Sequence, residues 1–470
     1  MTATRAPGPA GLPLIGSLLD LKRDALGTYL AARRDHGDVI RVQAGPPGLR
    51  AELWMVFSPE GAQQVLAAEA ANFRKDNVFY GEIRQSFGNG LLTAQDADYL
   101  RQRRLVQPLF TRRRVDGYAD AIGTETAALA ARWAAAPDGV VDLGEEMNRF
   151  ALRTVARILF GQDVEEAVET VHHAFPVLNG FVRDRGFSPL RLPRQWPLPG
   201  HRKALAAERA LYEVCDGIIA RRAAEGADGA DGKGGADGKG GADGNAEGRD
   251  LLALLAAARD EDGNRLDPTE LREQVLIFLL AGHETTATSL TFALHLLGKH
   301  PEQQARAHRE AAELLADGRR PTAADYAELP YLARVLKETM RLFPAAPSVG
   351  RRAVEATTVG GVTIPAGADV LVVPYVTHRH PGHWEDPERF DPERFTPERE
   401  AARHRYAWFP FGGGPRACIG QHFSMLESVL ALAALLREFE VTAIDRDVPL
   451  GQGITLELHG PVRVRLTPRG

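Results

Sequence analysis

Apolar residues recur at the spacing of one helical face along much of this 470-residue chain. Segments 118–135 and 145–159 are rich in Ala, Leu and Arg at this spacing, which predicts two helices. A longer helix is predicted over 268–300, because residues 275–282, VLIFLLAG, are apolar on every face. That pattern is typical of a central, buried helix. A last helix is predicted over 423–439.

Strand patterns occupy a smaller share of the chain. HGDVIRVQAG at 36–45 and AELWMVFS at 51–58 combine β-branched and aromatic residues, and 355–376 joins similar runs through Gly turns. The four prolines of 186–201 predict a loop. Segment 226–248 repeats Gly-Ala-Asp-Gly without aromatic or β-branched residues, so it cannot bury enough apolar surface to offset its ordering entropy. We expect a flexible Gly/Ala/Asp loop there.

The balance of these elements predicts a mainly α fold with a smaller β region, of the α+β class. With 44% hydrophobic and 25% charged residues, the composition is that of an ordinary globular protein with a large core. We expect a single domain over residues 1–470, interrupted by the loop at 226–248.

Charge and cysteine content exclude several classes of protein. The 57 basic and 62 acidic residues give a net charge of -5, so no basic excess indicates a nucleic-acid partner. Cys215 and Cys418 are far apart in sequence, which argues against a disulfide framework and favours a reducing cytoplasm. Pro and Gly interrupt the N-terminal apolar patch, and no signal peptide or membrane span of about 20 apolar residues is predicted.

One of the two cysteines lies in a specialised loop, FGGGPRACIG, at 411–420. A lone cysteine is usually inert packing, and we apply that interpretation to Cys215. Around Cys418, however, four glycines would let the backbone approach a flat ligand and direct N–H groups at the sulfur. Without a second Cys or clustered His, a zinc site is poor chemistry here, whereas an iron porphyrin needs only one thiolate from the protein.

Phe411, Gly414, Arg416, Cys418 and Gly420 match the pattern Phe-x-x-Gly-x-Arg-x-Cys-x-Gly. In this respect the chain resembles the cytochrome P450 family, whose haem-binding signature this is. The resemblance implies haem b (iron protoporphyrin IX) with Cys418 as the iron ligand and Phe411, Arg416 and Gly420 beside the cofactor. It also implies the family's fold, a triangular, helix-rich prism in which the haem is buried between a long central helix and the cysteine loop.

The stretch AGHETT, at 281–286, interrupts the apolar helix with polar groups that are costly there. One interpretation is that Glu284 and Thr285 face water or form a hydrogen bond with each other. The other is functional, because the two residues resemble the family's acid–threonine pair. In the family that pair relays protons for oxygen activation. The resemblance makes Glu284 and Thr285 the catalytic candidates and places Ala281 above the haem.

KETMRLFP, at 337–344, sets Glu338 and Arg341 on one helical face. A bare Glu-x-x-Arg is usually a surface ion pair, but here it resembles the family's helix motif. Arg394, in FDPERF, is then the third member of a buried network. This network is expected to be structural and to support the cysteine loop.

Haem propionates need cationic or hydrogen-bonding partners, and the resemblance supplies candidates. Tyr99 and Arg103 resemble the family's Trp-x-x-x-Arg helix, with Tyr in place of Trp. Arg351 is a further candidate, Arg352 competes with it, and Arg416 completes the set. The basic run at 111–115, TRRRV, is either a solvated helix end or a docking site for an acidic electron donor.

The resemblance implies a soluble, cytoplasmic, actinobacterial-type haem-thiolate monooxygenase. It would insert one atom of O2 into a C–H bond of a lipophilic molecule, most simply a terpenoid or other secondary metabolite. Alternatives are a fatty-acid or polyketide hydroxylase, a peroxide-driven peroxygenase and, least favoured, a non-enzymatic haem sensor. About thirty residues follow 439, too few for a reductase domain. We therefore expect electrons from NAD(P)H through a separate ferredoxin and ferredoxin reductase, and a monomeric enzyme.

The substrate pocket is expected to be apolar. By resemblance, its candidate walls come from the loop before the haem helix, from the segment before the proline-rich loop and from the later strands. These candidates are Phe79, Phe87, Phe175, Leu178, Phe181, Val349 and Ile454.

Overall fold

The structure is a computed structural model that describes residues 6–46, 48, 50–136, 138–161, 165–186, 188, 191–228 and 250–469. Its α-helices are, in chain order, α1 (Leu18–Arg23), α2 (Ala25–His36), α3 (Pro59–Gln63), α4 (Val78–Phe87), α5 (Asp96–Val106), α6 (Arg112–Asp116), α7 (Ala119–Ala134), α8 (Leu143–Phe160), α9 (Glu165–Gly186), α10 (Pro199–Asp228), α11 (Leu251–Ala257), α12 (Pro268–Lys299), α13 (Pro301–Leu314), α14 (Pro330–Leu342), α15 (Pro374–Thr377), α16 (Pro397–Ala401) and α17 (Gln421–Glu438).

Strands are short and make up the minor part of the fold. They are β1 (Val39–Ala44), β2 (Ala51–Val56), β3 (Phe73–Arg74), β4 (Val140–Asp142), β5 (Val349–Ala353), β6 (Thr357–Val359), β7 (Val362–Ile364), β8 (Asp369–Val372), β9 (Phe439–Ala443), β10 (Leu450–Gln452), β11 (Leu456–Leu458) and β12 (Arg463–Pro468). The largest sheet has the order β1-β2-β8-β5-β3, in which β2 and β8 are parallel and the other pairs antiparallel. A second sheet has the order β4-β12-β9, and β10 and β11 form a hairpin.

The central helix α12 begins at a capping box. The Asp267 side chain accepts from the Glu270 N–H at 2.9 Å, Glu270 accepts in return from the Asp267 N–H at 3.0 Å, and Pro268 fits the first turn. Among the described residues α12 is the one helix long and apolar enough to cross a membrane, but 78% of its apolar window is buried inside the protein. It is therefore a core helix, and its 32 residues span about 48 Å.

The helices predicted from periodicity are present in the structure. The segments 118–135, 145–159, 268–300 and 423–439 correspond to α7, α8, α12 and α17. Their ends differ by up to two residues, because caps rather than apolar spacing set them: Asp142, for example, accepts from the Gly144 N–H and starts α8 early. Of the loop predicted at 226–248, the first three residues close α10, and the rest lies outside the described residues.

Candidate active site

The cysteine loop leads into α17 through a tight turn at Gly414–Arg416. Gly414 has φ +64°, and a Cβ atom there would lie 1.9 Å from the Leu66 carbonyl oxygen. Any other residue would therefore push the loop off the turn at 64–68. The Cys418 N–H donates to the Phe411 carbonyl at 2.9 Å, which closes the loop.

Part of the Cys418 residue is exposed to solvent, although many protein atoms surround its thiol group. Burial raises the pKa of its thiol, while a hydrogen bond from the Gly420 backbone and the positive charges of Arg103 and Lys75 lower it. Each of the lowering influences favours the thiolate over the thiol. By contrast, Cys215 lies in α10, where burial raises its pKa to about 12, so it is a packing residue.

Four cations lie close together beside the cysteine loop; we call Lys75, Arg103, Arg351 and Arg416 the basic cluster. Their charges act on one another: burial lowers the pKa of Lys75 well below its usual value, and Arg351 and Arg416 lower it further. Burial likewise lowers the pKa of Arg351, and it lowers that of Arg416 to about 10. Within the described part of the chain, none of the four lies within 4.0 Å of a carboxylate.

Neutral groups hold the cluster in place. Arg103 donates to the Ala417 carbonyl at 3.1 Å, and the Arg416 guanidinium lies 3.4 Å from the centre of the Tyr99 ring. The Tyr99 hydroxyl donates to the Pro415 carbonyl at 2.6 Å. One Arg416 nitrogen, Nη1, is buried and has no hydrogen-bond partner among the described residues. Buried positive charge without a counter-charge is costly, so this arrangement fits a ligand with two carboxylates, as the two propionates of haem provide.

The strand β5 separates the two competing arginines. Arg351 is 3% exposed and donates to the Gly350 carbonyl, whereas Arg352, on the opposite face, is exposed. The sequence around Lys75 does not indicate that this lysine belongs to the basic cluster. A lysine that follows a strand normally faces water, and only the fold brings it above the Tyr80 ring, 4.6 Å from the centre.

A cavity of about 1020 Å³ lies against α12. Ala281, Glu284 and Thr285 line it, and so do five of the predicted wall residues: Phe79, Phe87, Phe175, Val349 and Ile454. The other two predicted wall residues are not part of the lining. Leu178 is fully buried in the main core, and the Phe181 ring packs against His201 and the guanidinium groups of Arg185 and Arg194.

Glu284 is held by both of its carboxyl oxygens. The Thr455 hydroxyl donates to Oε2 at 2.6 Å, and Asn179 Nδ2 donates to Oε1 at 3.3 Å. Burial raises the pKa of Glu284 to about 7, against the opposing effect of these hydrogen bonds. The Thr285 hydroxyl donates to the Ala281 carbonyl at 2.7 Å. His283 is turned away, because its Nδ1 lies 2.7 Å from the Leu279 carbonyl and burial lowers its pKa to about 4.

The structure brings Glu338, Arg341 and Arg394 together in the interior. Arg341 donates to both oxygens of Glu338, at 2.7 and 2.9 Å, and Arg394 Nε lies 3.4 Å from the same carboxylate. Glu338 and Arg341 are 0% exposed. The network is thus a buried, bidentate ion pair with a second arginine beside it.

Arg341 also connects this network to the cysteine loop. It donates to the carbonyls of His378, Pro387 and Arg389, at 2.9, 2.6 and 3.2 Å. The imidazole of His378 accepts from the Phe409 N–H at 2.9 Å, two residues before the loop begins. Burial lowers the pKa of His378 to about 3, so this ring is a neutral acceptor.

The basic run at 111–115 lies on the short helix α6, which packs against α17. The Arg112 side chain is 75% exposed and lies 3.9 Å from Asp116. Both interpretations of this run, a solvated helix end and a docking site, are compatible with that exposure.

Comparison with known proteins places the chain in a family. A family model described as Cytochrome P450 matches residues 6–455. Cyclooctat-9-en-7-ol 5-monooxygenase of Streptomyces melanosporofaciens is 33% identical, over 99% of this chain and 96% of that protein. Cyclooctatin synthase of the same organism is 37% identical, over 93% of this chain and 90% of that protein. Pentalenene oxygenase of Streptomyces avermitilis is 34% identical, over 99% and 97%. The chain belongs to the cytochrome P450 family.

A solved structure agrees with this assignment. The crystal structure of the cytochrome P450DA heme domain matches with a TM-score of 0.85 and 26% identity, over 100% of this chain and 99% of that chain. The mainly α fold with a smaller β region and the enzyme class, a cytochrome P450 monooxygenase, are therefore confirmed. Haem iron is the cofactor that the family and the fold imply, and the basic cluster fits it.

We predict that Arg341→Lys destabilises the protein by more than about 3 kcal/mol, because a single ammonium group cannot replace a bidentate guanidinium that also holds three carbonyls. The free energy of unfolding in urea and the haem content of the purified protein would both fall. Arg399→Lys is the matched control: this side chain is 59% exposed, and we expect a change within about 0.5 kcal/mol. Equal effects of the two substitutions would contradict a structural role for the network.

Proposed function

We propose that the enzyme hydroxylates a terpenoid, with electrons that come from NAD(P)H through a separate ferredoxin and ferredoxin reductase. The observation that carries the proposal is the basic cluster beside the cysteine loop. Lys75 and Arg351 are buried, Arg103 and Arg416 are half-buried, and none of the four has a carboxylate within 4.0 Å among the residues that the structure describes. The cluster supports haem b held through Cys418, with Arg103, Arg351, Arg416 and Lys75 facing the propionates. The exposure of Arg352 favours Arg351 as the propionate partner.

When bound through a thiolate, haem activates dioxygen and transfers one oxygen atom to a C–H bond. The chain supplies what surrounds that chemistry. We assign Glu284 to proton delivery, because a carboxyl whose pKa is about 7 can both accept and donate a proton at neutral pH. Thr285, next to it on the same cavity wall, is assigned as its hydroxyl partner.

The substrate assignment is supported by the cavity and by the relatives. The cavity wall includes the aromatic rings of Phe79, Phe87 and Phe175 together with Val349 and Ile454, and this apolar part suits a bulky apolar skeleton. Three relatives that align over most of the chain are named for cyclooctatin and pentalenene chemistry.

The redox partner and the location are proposals of the same kind. The exposed Arg112 on α6, a helix packed against α17, is available to an acidic donor protein. We propose a monomeric, cytoplasmic enzyme, since the one span-like helix of the described residues is buried in the core.

A Cys418→Ser variant tests the haem assignment. The reduced wild-type protein with carbon monoxide should show the absorbance band that is characteristic of thiolate-ligated haem, and the variant should lose both that band and its hydroxylation activity. Cys215→Ser is the matched control, since this cysteine is buried in α10, and it should keep the band. An unchanged spectrum in the Cys418 variant would refute the proposal.

The substrate class is tested by titrating the ferric enzyme with cyclic terpenes, terpene alcohols, fatty acids and macrolides, and recording shifts of the haem spectrum. We expect terpenoids to bind most tightly and to be hydroxylated in the presence of ferredoxin, reductase and NADPH. Tightest binding of a fatty acid or macrolide would contradict the substrate assignment. Steady turnover with hydrogen peroxide alone, and none with ferredoxin, would show a peroxygenase instead.

Glu284→Ala and Thr285→Ala should keep the haem but uncouple oxygen consumption from hydroxylation. We expect product formed per NADPH to fall about tenfold or more, with release of hydrogen peroxide, because a lost proton donor costs about 10²-fold or more in rate. Ser289→Ala, which removes another hydroxyl bonded to the backbone one turn along α12, is the control and should stay coupled. Full coupling in both Glu284 and Thr285 variants would remove the proton relay from the proposal.

A further inference from the structure

Two polar contacts join α9 to the β10–β11 hairpin at the cavity wall, and one of them runs through the Glu284 carboxyl. We call the five residues Asn179, Arg183, Glu284, Thr455 and Glu457 the α9–β11 seam. Its inner contact is the pair of hydrogen bonds to Glu284, from Asn179 and Thr455. Its outer contact is the ion pair between Arg183 Nη1 and Glu457 Oε2, at 2.6 Å.

Chain periodicity produces this alignment. Asn179 and Arg183 are four residues apart, so they share one face of α9. Thr455, in the bend just before β11, and Glu457, within β11, are two residues apart, and they contact Glu284 and Arg183 respectively. The carboxyl of α12 is thus held from both sides by elements that are distant in sequence.

We infer that Thr455 and Asn179 are positioning residues for proton delivery, and that the Arg183–Glu457 pair sets the charge state of the same carboxyl. This inference rests on the proposed function of Glu284 as the proton donor. Neither Thr455 nor Asn179 is required to contact the haem or the substrate in this role. They fix where the Glu284 carboxyl lies and how strongly it holds its proton.

A glutamate side chain has enough rotatable bonds to leave the cavity wall unless something holds it. Donors on both oxygens remove that freedom, and they also stabilise the ionised form. Burial and the negative charge of Glu457 act in the opposite direction and favour the protonated form. The hydrogen bonds from Asn179 and Thr455 therefore lower the pKa of Glu284, whereas burial and the charge of Glu457 raise it.

Two further titratable groups, Asp184 and His459, lie next to the outer contact of the seam. Arg183 also pairs with Asp184 at 3.2 Å, and His459 Nε2 lies 3.7 Å from Glu457 on the exposed side. His283, the neighbour of Glu284 on α12, packs its ring against Phe175 of α9. Thr455 and Glu457 therefore offer two substitutions with opposite effects on one carboxyl.

The experiment is an infrared pH titration of the Glu284 carboxyl in the haem-loaded, ferric full-length protein without oxygen, with Glu284→Gln to identify its band. Thr455→Val removes a donor to the ionised form, so the midpoint should rise by about one pH unit. Glu457→Gln removes a negative neighbour and frees part of the Arg183 charge, so the midpoint should fall. Thr455→Ser keeps the hydroxyl and should restore the wild-type midpoint.

A second readout is the coupling of NADPH use to hydroxylation across the same pH range. In Thr455→Val the pH dependence should shift in parallel with the infrared midpoint, with more peroxide released, while Thr455→Ser remains coupled. If Thr455→Val does not retain the carbon-monoxide band, Asn179→Leu is tested in its place, with the same expected direction. The haem band thus reports folding separately from positioning.

Midpoints of Thr455→Val and Glu457→Gln that are unchanged, or that move in the same direction, would overturn the inference. Failure of the proposed function gives a different result. In that case Glu284→Gln would stay fully coupled, whatever the infrared midpoints of the other variants show.

Discussion

The structure depends on positive charge that is taken out of water around one sulfur atom. Lys75, Arg103, Arg351 and Arg416 are held by carbonyls and an aromatic ring, and none has a carboxylate within 4.0 Å among the described residues. Burying positive charge without a matching anion is unfavourable, and the cost is greatest for Lys75 and Arg351, the two cations of the cluster that are buried. A cofactor with two carboxylates and an iron atom would offset that cost and would make use of Cys418 as well. We therefore expect cofactor binding to stabilise this fold.

The residues that support the cysteine loop meet a different requirement, because a glycine-rich loop does not keep a fixed conformation on its own. The Glu338–Arg341 pair receives no solvent, and Arg341 gathers carbonyls from three positions of the following segment. The imidazole of His378 accepts a hydrogen bond from the Phe409 N–H and so connects Arg341 to the segment that leads into the cysteine loop. At the wall of the cavity, α12 supplies the Glu284 carboxyl, which is held by side chains from α9 and from the residue before β11. Contacts from elements distant in sequence thus hold both the cysteine loop and the Glu284 carboxyl in place.

Much of the fold was predictable because burial imposes a period on the sequence. The apolar run at 275–282 indicated a central helix, and α12 is that helix. Boundaries were less predictable, because side-chain caps such as those of Asp142 and Asp267 decide them locally. Two of the seven predicted wall residues, Leu178 and Phe181, do not line the cavity of the described structure. The sequence pattern around Phe181 is the same whether its ring faces a substrate or packs against charged groups. In the structure the ring packs against the guanidinium groups of Arg185 and Arg194. One domain over 1–470 stays a prediction.

By itself the sequence determined the family and the fold class, because motifs such as FGGGPRACIG and AGHETT are short and contiguous in the sequence. The role of Cys418 as the iron ligand stays a prediction. Tertiary structure alone decided which of two adjacent arginines is buried, that Lys75 joins them, and that Asn179 and Thr455 hold Glu284. The reason is physical. Charge and hydrogen bonding act across a few ångströms of space, and residues 100 or more positions apart reach that distance only when helices and strands pack.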